Sequence, residues 1–235
     1  MIQNPWILFL VLPLAAYVIG ATPFGVLLAR AKGVDLRKSG SGNTGATNVG
    51  RVLGRRWGYA CFVLDVAKGL LPVLAVGAML RPAQAPGAAA AYPEIASQAA
   101  WLLVACGAIC GHVFSFYLGF RGGKGVATGL GVVLGIWPYF TVPGLAALAI
   151  WVAVTLATRY VSAGSIVAAA AFVPLVAGYC MIRHWPPAEL WPLLLFASAM
   201  VILIIVRHRT NISRLLHGAE NKIGGGPKDK ETPHA

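Results

Sequence analysis

Charge is scarce in this sequence, and acid scarcest of all. Only 11% of the 235 residues are charged, with 7 Asp or Glu against 19 Lys or Arg. A soluble domain of this length carries roughly 25% charged residues, so this chain lacks the means to build a water-facing globular surface. Cysteine is also rare. Cys61, Cys106, Cys110 and Cys180 all fall inside apolar runs, which excludes an extracellular disulfide framework. Cys106 and Cys110 stand i,i+4 on one predicted helix, but no further Cys or carboxylate lies nearby, so no metal site is expected. The first 29 residues contain no Lys or Arg. A secretory signal opens on a positive segment, so the first apolar run is expected to be a retained helix.

What is present is hydrophobic: 58% of the residues. A spanning helix needs about 20 mostly apolar residues. Apolar runs fall at 5–29, 57–80, 98–119, 125–142, 144–158, 164–182 and 190–206, with Pro138 and Pro143 bracketing the turn between the fourth and fifth. They predict an all-α polytopic integral membrane protein of about seven transmembrane helices. One membrane domain is expected over residues 1–223, with no room for a second, soluble one. Residues 81–97, rich in Ala, Pro and Gly, read as an external loop, and residues 224–235 as a disordered cytoplasmic tail.

The net charge of +12 invites a nucleic-acid reading, but such a footprint is a continuous basic face on a soluble fold. Here the cations sit in short segments between apolar runs, so no nucleic acid is expected. There they set topology and can meet anionic headgroups or small phosphorylated ligands. Seven lie in 30–56, two in 120–124, one at Arg159 and six from 207 onward. If seven helices alternate, these 16 share one side, and only Arg81 and Arg183 lie on the other. The basic side is therefore expected to be cytoplasmic, with the N-terminus outside and the C-terminus inside.

Polar chemistry concentrates on that same side. Residues 40–51 read GSGNTGATNVGR. Gly40, Gly42 and Gly45 let the backbone approach a ligand closely. Ser41, Asn43, Thr44, Thr47 and Asn48 add short hydrogen-bonding groups, and Arg51 adds a planar cation that can grip two oxygens of a phosphate. The alternative is a Gly/Ser loop that caps the second helix, but two Asn, two Thr and an Arg in so short a stretch favour a ligand site. Residues 122–128, GGKGVAT, place Gly122, Gly123 and Lys124 before a helix start, where backbone N–H groups favour an anion. This is not a phosphate-binding Walker loop, because Leu118 and Gly125 stand where Gly and Ser or Thr are needed.

In 207–220, RHRTNISRLLHGAE, the residues Arg207, His208, Asn211 and Arg214 share one side of a helix. Glu220, alone among cations, reads as a structural partner. Taken alone the segment also suits an interfacial anchor on lipid. Asp65 and Lys68, at i,i+3 inside an apolar run, read as a structural ion pair, since lone charges are costly in lipid. His112 reads as a hydrogen-bonded interior side chain. Residues 159–165, RYVSAGS, bring Arg159, Ser162 and Ser165 to the same side.

Together with DVAKGLLPV at 65–73 and GHVFSFYLGFRGGKGVATGLG at 111–131, these segments resemble the bacterial acyl-phosphate:glycerol-3-phosphate acyltransferase family. They run in the family's order over nearly the whole chain. The family typically has Pro, Lys and Leu where Ser115, Arg121 and Ala163 stand here. The resemblance implies transfer of an acyl group from acyl phosphate to the 1-hydroxyl of glycerol 3-phosphate, in phospholipid synthesis at the bacterial inner membrane. It implies no cofactor, two phosphorylated substrates, and a contact with the enzyme that makes acyl phosphate. By the same resemblance Ser41, Arg51, Lys124, His208 and Asn211 are catalytic. It implies that Gly122 and Gly123 hold the phosphate of glycerol 3-phosphate and that Glu220 is structural; Asn43, Thr47, Asn48 and Ser162 are expected to bind substrate, and Asp65 and Lys68 to be structural. The rival is a transporter of a phosphorylated metabolite, which should show internal repeats and midplane polar groups; the sequence shows no repeat, and its polar motifs gather at one face.

Overall fold

A computed structural model describes residues 4–80 and 95–224 of the chain. Most of the expected loop 81–97 and of the tail 224–235 therefore lie outside the described residues. The fold is all helical. A π-helical turn, Ile7–Val11, leads into α1 (Leu12–Ala21), and the chain breaks at Thr22 and Pro23 before α2 (Phe24–Arg30). Proline has no N–H and disfavours helix in the residue before it, so the break falls at Thr22. Then come α3 (Ala46–Leu53), α4 (Arg55–Leu80), α5 (Ile95–Val113), a 3-10 turn (Phe116–Leu118) and α6 (Val126–Gly135). The last four are α7 (Thr141–Thr158), α8 (Val161–Ile182), α9 (Pro187–Arg207) and α10 (Arg209–Leu216).

Six segments among the described residues are long and apolar enough to cross a membrane: Ile7–Arg30, Arg55–Leu80, Ile95–Leu118, Thr141–Thr158, Val161–Ile182 and Ala188–Arg207. The fourth expected run, 125–142, departs from the expectation. Its helix α6 has only 10 residues, a rise of about 15 Å, against a hydrocarbon core of about 30 Å. Gly135, Trp137 and Pro138 end it. The next helix starts early, at Thr141, and Pro143 falls in its first turn, where a missing N–H is tolerated. So Pro143 does not bound the turn as the sequence pattern suggested.

Lipid tails are as apolar as Leu, so close van der Waals packing rather than hydrophobic burial must join these helices. Small residues supply it. A Cβ on Gly20 of α1 would strike the Ala108 backbone of α5, and one on Gly131 of α6 would strike the Val66 carbonyl of α4. The outward faces carry exposed Val63, Leu71, Leu195 and Ile202, as lipid contact requires. The result is a bundle with its polar loops gathered at one end.

Candidate active site

The first wall of the site is the 40–51 segment. Gly40 and Gly42 take φ of +60° and +69°, backbone that glycine adopts without steric cost. Asn48, buried at the start of α3, ties this loop down. Its Oδ1 accepts from the Ser41 N–H at 2.8 Å, and its amide donates to the carbonyls of Ser39 (3.0 Å) and Asn43 (2.9 Å). Asn43 Oδ1 in turn accepts from the Gly45 N–H at 2.9 Å. Asn48, and the side-chain oxygen of Asn43, thus shape the loop. The side chains of Ser41, Thr47 and Arg51 remain exposed. Thr47 and Arg51, at i,i+4, share a face of α3, and Arg51 makes no ion pair among the described residues.

The second wall is the junction between α5 and α6. Here the structure corrects one expectation. The N–H groups of Gly122 and Gly123 are not presented to a ligand; they donate to the carbonyls of Val113 and His112, both at 3.1 Å. Their own carbonyls accept from Arg207 Nη2, again both at 3.1 Å. A Cβ on Gly122 would strike the His112 carbonyl, and one on Gly123 the His112 ring. The two glycines therefore let this strand lie flat on the end of α5. The donors left for an anion are Lys124 and the N–H groups opening α6, which have no partner within their own helix.

The third wall is α10 with the chain that follows it. Lys124 Nζ donates to Asn211 Oδ1 at 2.5 Å. Asn211 Nδ2 donates to Glu220 Oε1 at 2.8 Å, Ser162 Oγ donates to the same oxygen at 3.1 Å, and Arg214 Nε donates to Oε2 at 2.7 Å. Glu220 is buried, so each contact matters to its charge. Burial lowers Lys124 to about 8; Glu220 opposes that, while Arg214, Arg207 and Arg51 reinforce it. Lys124, Arg207 and Arg214 thus gather round a single buried carboxylate, an excess of positive charge that favours an anion. His208 is pushed down to about 4, chiefly by burial. Its Nδ1 lies 2.8 Å from the Ile204 carbonyl. A carbonyl only accepts, so Nδ1 carries the proton and Nε2 keeps its lone pair.

Beneath these walls lies the ion pair of α4. Lys68 Nζ and Asp65 Oδ1 are 2.8 Å apart and nearly fully buried. Lys68 also donates to the Thr22 carbonyl at 2.8 Å, and His112 Nδ1 stands 3.8 Å from Asp65. Beside the cations is an apolar cavity of about 110 Å³ between α4, α6, α7, α8 and α9. It is lined by Val126, which stands two residues after Lys124, and by Ile204, whose carbonyl lies 2.8 Å from His208 Nδ1. Phe62, Trp151, Phe172 and Met200 line the rest.

Sequence reading gathered Lys124, His208, Asn211, Ser162 and Glu220 correctly at one end of the bundle. It gave Arg207 and Arg214 no role of their own, although their places on the polar stripe of 207–214 were the signal. Asn48, expected to contact substrate, holds the loop together through its side-chain amide. Among the described residues no group of three or more His, Cys, Asp or Glu could hold a metal ion.

Fold and site define an integral membrane enzyme whose polar centre abuts an apolar cavity. The sequence profile of the glycerol-3-phosphate acyltransferase family matches residues 10–218. A glycerol-3-phosphate acyltransferase of Geobacter sulfurreducens is 44% identical over 215 residues, covering 91% of this chain and 97% of that one. One from Geotalea daltonii is 46% identical over 213 residues, covering 90% and 96%. The crystal structure of PlsY (YgiH), an integral membrane glycerol 3-phosphate acyltransferase, in its glycerol 3-phosphate form superposes with a TM-score of 0.74 at 36% identity, covering 92% of this chain and 95% of that one. This chain belongs to the glycerol-3-phosphate acyltransferase family and is an acyltransferase.

Proposed function

We propose that the enzyme transfers the acyl group of an acyl phosphate to the 1-hydroxyl of glycerol 3-phosphate, giving lysophosphatidic acid and inorganic phosphate. The observation that carries this reading is the gathering of Lys124, Arg207 and Arg214 by hydrogen bonds to Asn211, to the Gly122 and Gly123 carbonyls and to Glu220, next to an apolar cavity lined by Val126. Phosphate on both substrates needs the cations; the acyl chain needs the cavity. Solved relatives have been captured with glycerol 3-phosphate and with lysophosphatidic acid, the acceptor and product of this reaction.

The donor is a mixed anhydride with a good leaving group, so its activation needs are modest. The acceptor oxygen attacks the carbonyl carbon, the bond from that carbon to the phosphate oxygen breaks, and phosphate departs. Arg51 and Lys124 stabilise charge on the carbonyl oxygen and the leaving phosphate, with Ser41 and Thr47 as neighbouring donors. His208, at about 4, is too weak a base to collect the hydroxyl proton at neutral pH. Its Nε2 can accept a hydrogen bond from the acceptor, while substrate phosphate takes the proton. Asn211 and Ser162 orient Lys124 and Glu220. No cofactor is required.

Hydrogen bonds from Arg37 to Leu118, Lys124 to Asn211 and Ser162 to Glu220 hold the four basic segments at one end, so the short α6 still carries the chain back across the bundle; in this reading that end faces the cytoplasm, with the N-terminus outside, on the strength of the 16-to-2 distribution of Lys and Arg. That side is also where a soluble enzyme making acyl phosphate would meet it. Residues 1–223 form the catalytic unit. The deciding experiment supplies purified protein with acyl phosphate and labelled glycerol 3-phosphate. Labelled lysophosphatidic acid with equimolar phosphate is the expected result. Comparable turnover with acyl-coenzyme A as donor would sink the assignment of acyl phosphate.

A further inference from the structure

Arg159 is engaged by the chain that follows α10. It ends α7 in the left-handed region, φ +63°, and both ends of the residue hold Ile223. The Arg159 carbonyl accepts from the Ile223 N–H at 2.8 Å, and Arg159 Nη2 donates to the Ile223 carbonyl at 2.8 Å. One residue inward, Lys222 lies over the Tyr160 ring at 5.5 Å. Two further inward, Ser162 meets Glu220. Contacts at 159 with 223, 160 with 222 and 162 with 220 keep one antiparallel register. The chain after α10 turns back at Gly218, φ +65°, and runs as a strap along the opening of α8.

We infer that Arg159 is a positioning residue of the reaction: by clasping Ile223 it fixes the strap that delivers Glu220 to Asn211, Ser162 and Arg214. The inference rests on the functional reading above. Glu220 lies three residues from the clasp, near enough for a fixed Ile223 to restrict it closely. The three contacts of Glu220 all come from side chains; its backbone is held on one side by the Ala219 N–H, which donates to the Arg214 carbonyl at 2.8 Å, and on the other by Arg159 through Ile223.

Glu220 is the one carboxylate acting on Lys124, against Arg51, Arg207 and Arg214, with neutral His208 alongside. Arg159→Ala keeps the backbone bond from the Ile223 N–H and removes the guanidinium half of the clasp; the loosened strap weakens that support, so the lysine gives up its proton at lower pH. Arg159→Ala should therefore lower kcat/KM for glycerol 3-phosphate about tenfold, mainly through KM, and move the alkaline limb of its pH profile downward. Glu220→Gln should move the limb the same way. The double variant should be no worse than Glu220→Gln alone, because both act through one contact. Arg159→Lys, which keeps a donor to the Ile223 carbonyl, should recover part of the loss.

A second measurement is independent of turnover. Hydrogen exchange across residues 219–223 in the folded protein should be slow in the parent and faster in Arg159→Ala. Unchanged exchange and an unchanged pH limb in Arg159→Ala, or additive losses in the double variant, would overturn the clasp. Parent protein that forms no lysophosphatidic acid, yet shows the exchange difference, would overturn the functional reading while leaving the clasp standing.

Discussion

Burial pulls Lys124 down to about 8 although Glu220 pulls the other way, so this side chain titrates within the working range of an enzyme. The cation is present below that value and lost as pH rises through it. In the free enzyme kcat/KM for glycerol 3-phosphate should be level from about pH 7 to pH 8, where the substrate phosphate is already doubly ionised, and fall about tenfold per unit above it. Lys124→Arg keeps the charge and should abolish that limb; an unchanged limb in this variant would assign it to another group. Arg51 is proposed to grip two oxygens at once, which an ammonium cannot copy. Arg51→Lys should lose roughly a hundredfold in kcat at saturating substrate, and near-normal kcat would remove Arg51 from the chemistry. Lys124, His208 and Asn211 were legible in the sequence because a helical period and a Gly-rich junction announce them. Asn48 was not, since its task depends on the carbonyls of Ser39 and Asn43, which only the folded loop aims at it. Gly122 and Gly123 were visible as glycines, but the flat approach to His112 that requires them was not.

Helices were read well where composition alone decides them. The runs 57–80 and 164–182 correspond to α4 (Arg55–Leu80) and α8 (Val161–Ile182), within a few residues. Two elements escaped. The helix α3 lies inside a Gly- and Asn-rich segment that reads as loop, and packing onto α4, where Gly58 meets Gly50, helps to hold it. The fourth run is continuous in hydropathy, yet Pro138 cuts it and α6 stays short. The ion pair of α4 was legible from its i,i+3 spacing; its third partner, the Thr22 carbonyl, was not, because it depends on the break before Pro23. This pair makes a prediction at the same scale. Lys68→Met leaves Asp65 buried without its cation and should cost about 3 kcal/mol. Asp65→Asn with Lys68→Met removes both charges and should cost less. Thermal unfolding in one detergent compares them, and equal losses would show that burial of charge is not the cause.

The whole molecule is proposed to sit with its cations inside the cell. In a cysteine-free background, Lys38→Cys and Arg209→Cys, both at exposed sites, should resist an impermeant thiol reagent in intact cells. Ala88→Cys, in the loop expected outside, should react. Labelling of Lys38→Cys in sealed cells would reverse the topology. The strap that carries Glu220 follows all six long helices in the chain. A chain cut short after Leu216 would therefore keep every long helix, with Arg51, Lys124 and Arg207, and lose the carboxylate that Ser162, Asn211 and Arg214 hold. The balancing acid of the centre is thus carried by the one part of the fold that a short C-terminal deletion removes.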